Sequence, residues 1–129
     1  MDYGRLKIRG IVEMKTPEGG IVRLNHIRPI GCKKLDTRYS HFLNTDIASF
    51  SGKEGGSEDG IVLNLSGAEY ADRDRLASML RLKRRYGKNG KDVYFVVDSG
   101  VLNSIKLARL ETAFNAYPSM GSLKNDGRY

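Results

Sequence analysis

A single cysteine, Cys32, stands in the 129 residues, so an internal disulfide and any zinc site needing several thiolates are excluded. Uninterrupted apolar runs reach only a few residues, which excludes a membrane helix of about 20. The opening Met1-Asp2-Tyr3-Gly4-Arg5 has no apolar stretch, which predicts no cleaved signal peptide. Proline is scarce, at 3 residues, and histidine scarcer, at 2. His26 and His41 lie fifteen residues apart with no further ligands at compatible spacing, so no metal site is expected. Either histidine could meet Cys32 in space as a nucleophile pair, but no local signature supports it. Gly52-Lys53-Glu54-Gly55-Gly56 resembles a phosphate loop only superficially, since the Gly-Lys-Ser/Thr ending and the helix start are missing. Asp46, Glu54, Glu58, Asp59 and Asp98 could include a catalytic pair, but the glycine-rich frame of 54–59 holds no fixed geometry. Neither an enzyme nor a cofactor is expected.

What is abundant is positive charge and glycine. Lys and Arg number 22 against 15 Asp and Glu, for a net charge of +7. Such a balance suits nucleic acid, an acidic membrane surface or an acidic protein. Arg81, Lys83, Arg84, Arg85, Lys88 and Lys91 fall within eleven residues, and Arg23, Arg28, Lys33, Lys34 and Arg38 form a looser scatter. The plain alternative is a solvated face that aids solubility. Only Tyr86 and Tyr94 lie near the first cluster, too few rings for a single-strand stacking platform. The length fits one domain, residues 1–129, because domains cluster at about 100–150 residues. The 15 glycines and short apolar runs point to many turns and a sheet-rich fold.

Leu6, Ile8, Val12 and Met14 share one parity while Lys7, Arg9 and Glu13 share the other, which predicts a half-buried strand. Thr16-Pro17-Glu18-Gly19-Gly20 is a turn, and 21–27 the returning strand of a hairpin that Pro29 ends or confines to an edge. Leu35–Phe42 is a short strand or helical turn, and Thr45–Phe50 has weak strand character. The stretch from Ser51 to Gly60 holds four glycines and three acids in ten residues, and reads as an exposed, mobile loop. It is either a functional loop ordered by a neighbour or a simple connection. Residues 60–67 form a strand with Ile61, Leu63 and Leu65 inward.

Asp72 to Tyr86 predicts an amphipathic helix, with Asp72 and Asp74 in its first turn, Arg81 to Arg85 in its last and Gly87 at C′. Leu76, Met79, Leu80, Leu82 and Tyr86 form its apolar arc, with Lys83 snorkelling from inside it. Asp92–Val97 reads as a strand buried on both faces, Asp98-Ser99-Gly100 as a turn, and 101–114 as helix or strand, with strand favoured by the Ile105 and Leu107 pair. The expected fold is α+β: a mainly antiparallel, sandwich-like sheet with one helix at about 72–86 on one face and the opposite face wholly or partly open. An open face or edge invites assembly.

From Gly60 to Arg128 the chain resembles small structural proteins of phage tails and related contractile injection machines. The resemblance lies in a strand ending in Ser66-Gly67, the helix with Leu76 and Leu80, the strand Tyr94-Phe95-Val96-Val97, the turn at Gly100, a further strand, and a closing Lys124-Asn125-Asp126-Gly127-Arg128-Tyr129. It implies a virion component, assembled in the host cytoplasm: a baseplate, hub or tail-end adaptor forming homo-oligomeric rings with other tail proteins. Its contacts would fall on the N-terminal hairpin, on Lys53, Glu54, Glu58 and Asp59 of the loop, and on Arg81, Arg84, Arg85, Lys88 and Lys91. The alternative from composition is a small basic module that holds nucleic-acid phosphates with the 81–91 cluster.

Overall fold

The computed structural model describes residues 2–3, 6–15, 18–29, 59–69, 71–88 and 90–124. Their order is β1 (Asp2–Tyr3), β2 (Leu6–Lys15), β3 (Ile21–Pro29), β4 (Gly60–Asn64), α1 (Arg73–Gly87), β5 (Asp92–Val96), α2 (Ser99–Leu107), β6 (Ala116–Tyr117) and α3 (Met120–Lys124). The strands form one six-stranded sheet in sequence order. The class is α+β. β1, β2 and β3 pair antiparallel, whereas β3, β4, β5 and β6 run parallel. The sheet is thus mixed rather than mainly antiparallel. The reason is that α1 and α2 each carry the chain back to the starting end of the next strand, as a parallel pair requires.

The expected strand after residue 100 is α2. Asp98 and the two residues after it are not a free turn but the start of this helix, and the chain reaches β6 only at Ala116. The turn at the hairpin tip follows expectation at Gly19, whose φ of +89° only glycine adopts freely. The uniform alternation along β2 does not hold. A bulge between Ile8 and Gly10, with φ of +110° at Gly10, interrupts the two-residue repeat. Val12 therefore pairs with Leu24 of one core cluster, while Ile8 pairs with Ile27 of the other.

Both sheet faces are covered. On one, Ile27, Ile61, Leu63, Val93, Phe95 and Val97 pack against α1 through Leu76, Met79, Leu82 and Tyr86 and against α2 through Val101 and Ile105. Phe95 meets Phe114 edge to face at 5.4 Å. On the other, Val12, Met14, Leu24, Val62 and Val96 pack with Tyr117 and with Leu123 of α3. The expected open face is closed at its centre: Leu24, Val62 and Leu123 have no exposed area. All five residues of β4 are buried, as in a strand with cover on both sides. The expectations for Leu35–Phe42, Thr45–Phe50 and most of the 51–60 loop fall outside the described residues.

Candidate docking surfaces

Helix α1 forms where its caps and apolar spacing place it. The Asp72 carboxylate accepts from the Arg75 amide at 2.9 Å, satisfying one of the first-turn donors. Asp74 and the pair Arg84 and Arg85 oppose the two ends of the macrodipole. The helix runs through Gly87 to a cap at Lys88, whose φ of −62° is helical, so Gly87 is not the left-handed residue. That role falls to Gly90, at φ +72°. The longer helix ends through Lys88 N–H to the Arg84 carbonyl at 3.1 Å and Lys91 N–H to the Tyr86 carbonyl at 3.0 Å.

The cationic residues divide by what they touch. Lys83 lies half-buried and its Nζ donates to the Ala113 carbonyl at 2.7 Å, fastening α1 to the segment before β6. Arg81 donates to Ser78 Oγ at 2.9 Å, and Ser78 in turn donates to the Asp74 carbonyl at 3.1 Å. Lys91 is half-buried and engaged. Arg84, Arg85 and Lys88 are exposed, and no described carboxylate forms an ion pair with them. At 100° per residue, Arg81, Arg84, Arg85 and Lys88 fall within an arc of about 100° on the solvent side of α1. The helix thus carries one cationic stripe rather than a diffuse coat.

The other expected contact residues separate from this stripe. Lys53, Glu54 and Glu58 lie outside the described residues. Asp59 belongs to the sheet rather than to a mobile loop: its carboxylate accepts from Arg23 N–H at 2.8 Å, its own N–H donates to the Arg23 carbonyl at 2.9 Å, and its carbonyl accepts from Asp92 N–H at 3.0 Å. Gly60 follows because a Cβ there would overlap the Asp92 carbonyl. Cys32, His41 and Asp46 fall outside the described residues. His26 faces Asn64 across the sheet, Nε2 to Nδ2 at 3.2 Å. The amide nitrogen is a donor only, so Nε2 is the acceptor and the ring proton sits on Nδ1. Asp98 accepts from Gly67 N–H at 2.8 Å and ties the loop after β4 to the start of α2. Among the described residues, no three His, Cys, Asp or Glu side chains group as a metal site, and no helix is long and apolar enough to cross a membrane.

Two further features are exposed apolar side chains, one of them in the hairpin that the sequence marked for contacts. Leu107 at the end of α2 is 87% exposed, beside a shallow groove of about 250 Å³ lined by Ala71, Arg73, Leu76, Ser104 and Ala108. The hairpin keeps Ile11 and Ile21 exposed. An isolated glycine inside the β2 pattern, Gly10, was the available signal for the bulge next to Ile11.

No protein-family model matches the chain, and no curated relative does. Among solved structures, it is similar to murine Solute Carrier 26 family member A9, an anion transporter, in the inward-facing state. The TM-score is 0.64 and identity 14%, over 88% of this chain and 21% of that one. A second structure of SLC26A9 gives a TM-score of 0.60 at 14% identity, over 89% and 23%. The chain therefore spans about a fifth of the length of these proteins, and at this identity the likeness shows the fold alone.

Proposed function

We propose that this chain is a docking module that works by protein–protein contact, in the form the tail resemblance implies: a hub, adaptor or tail-end component of a phage tail or baseplate. The observation that carries the docking reading is the stripe of Arg84, Arg85 and Lys88, exposed and without ion-paired carboxylates among the described residues, while Lys83 of the same helix is tied inward and Arg81 is bonded along the helix to Ser78. Such a stripe meets an acidic surface on a neighbouring protein. The transporter likeness agrees with modular use, because there the same fold makes up about a fifth of a longer chain. The strand, helix and strand of β4, α1 and β5 are in the order the resemblance implies, whereas from residue 99 α2 stands in place of the further strand. Immunogold labelling of tailed particles with an antibody to this chain tests the specific form. Label at one end of the tail is the expected result, and particles free of label would overturn it.

The same stripe, Arg81, Arg84, Arg85 and Lys88, favours a second reading, the phosphate-binding nucleic-acid module that the sequence predicts to include Lys91, although Lys91 is half-buried and engaged. Duplex and single-stranded DNA should then bind at low salt, with affinity falling at a log–log slope of about −0.9 per phosphate neutralised. Absence of binding at low salt removes it.

A further inference from the structure

Among the described residues, the outer edge of β2 has backbone groups left over. β1 pairs with β2 only at Leu6 and Lys7 among the described residues. Beyond the bulge, Gly10 to Lys15 stay in unbroken register with β3. The direction of their backbone groups follows from Arg23. Its N–H donates to the Asp59 carboxylate and its carbonyl accepts from Asp59 N–H, so both point away from β2. Glu13 faces Arg23 in the ladder, so theirs is a non-hydrogen-bonded pair and the Glu13 N–H and C=O point outward. Alternation gives Ile11 and Lys15 the same direction. All three side chains are exposed, on the face opposite Val12 and Met14.

We infer that two copies of this chain join antiparallel along this edge, making one continuous sheet across a two-fold axis near Met14. A second copy suits the edge because its charges are self-complementary. With Met14 on the axis, each Glu13 lies opposite the partner's Lys15. Glu13 is already opposite Arg23 within its own chain, so the row reads Arg23, Glu13, Lys15, with alternating sign from one copy into the next. The register with Glu13 against Glu13 sets like charges face to face and is disfavoured. The contact is isologous and closes at two copies. The paired stretch is short, Glu13 to Lys15 of each copy, because the ladder between β2 and β3 ends at Lys15 and Ile21.

This deepens the assembly reading by naming one contact, and it uses no residue of α1. Sedimentation equilibrium of the full chain, over a wide concentration range at low salt, should show a monomer–dimer equilibrium. Glu13→Lys should weaken the dimer several-fold, and Glu13→Lys with Lys15→Glu should restore it. Glu13→Pro should abolish it while the circular dichroism and urea midpoint stay near wild type, because the N–H it removes faces outward. If Glu13→Pro unfolds, the charge swap alone decides. A monomer at every concentration, or a dimer indifferent to Glu13→Lys, overturns the inference. Either result leaves the labelling of particles, and with it the wider reading, to stand or fall separately.

Discussion

The parallel half of the sheet and the N-terminal hairpin solve different problems with the same backbone. In β4 every residue is buried, with Ile61 and Leu63 under the helices and Val62 in the opposite cluster. In β2 and β3 beyond the bulge one face is committed: Val12, Met14 and Leu24 are buried, while on the other Ile11, Glu13, Lys15, Ile21 and Arg23 reach solvent and only Asn25 is buried. Burial on two faces specifies the fold, and burial on one leaves a surface for something else. Stability should therefore concentrate in the parallel half, and association in the hairpin and the outer side of α1.

The largest expected effect contrasts two apolar deletions. Phe95→Ala empties the centre of the larger cluster, against Phe114, and should cost about 3–5 kcal/mol in urea denaturation. Ile21→Ala, at a residue 59% exposed, should stay within about 0.5 kcal/mol. Comparable losses at the two positions would break the comparison.

Tyr86 sharpens it by pH. Its ring lies in the larger cluster, and its hydroxyl is buried with no hydrogen-bond partner among the described residues. Burial, partly offset by the Arg85 charge, pushes its pKa from 10.0 up to about 12. The unfolded chain ionises first, so this stability is whole below about pH 10 and is lost as pH rises toward about 12. Two pKa units correspond to about 2–3 kcal/mol over that window. Tyr86→Phe should remove this part of the alkaline loss and leave neutral-pH stability unchanged or slightly higher, because no hydrogen bond is given up. Alkaline urea titrations of both proteins measure the difference.

How much of this was legible depended on how local each signal was. Helix α1 could be read because its cap at Asp72 and its apolar residues Leu76, Met79, Leu82 and Tyr86 lie within one segment. Helix α2 could not, because Leu107 suggested a strand alternation with Ile105, yet Leu107 is exposed and contributes little to packing. What selects helix there is the need to cross back before β6, a two-residue strand with little sequence signal of its own. The cationic stripe was visible as composition. Its division into tied and free members was not, since Lys83 finds Ala113 thirty residues away. Asp59 looked like part of a flexible acidic loop because its partners, Arg23 and Asp92, are distant in sequence.

Smaller effects come from helix ends and turns. Asp72→Ala removes the cap on α1 and should cost about 1 kcal/mol. Glu18→Ala, at an exposed hairpin-turn position, should stay within about 0.5 kcal/mol. Thermal unfolding of the two variants, side by side, reads the contrast.

The smallest effect has opposite signs in the two regions. Helix α2 ends with Leu110 N–H bonded to the Ile105 carbonyl and Arg109 N–H to the Lys106 carbonyl, a Schellman arrangement. The C′ residue in that arrangement is left-handed, and here it is Arg109, at φ +58°, where glycine is preferred. A side chain in this conformation costs about 1–2 kcal/mol, while the extra freedom of unfolded glycine returns about 0.5–1 kcal/mol of that gain. Arg109→Gly should therefore stabilise by about 0.5–1 kcal/mol. The hairpin tip has the same backbone problem already solved by Gly19, at φ +89°, so Gly19→Ala should destabilise by about the same amount. Urea midpoints moving in opposite directions would place the relaxed turn in the hairpin and the strained one beside α2. A loss of stability in Arg109→Gly would instead mean that the Arg109 side chain contributes more to α2 than its left-handed backbone costs.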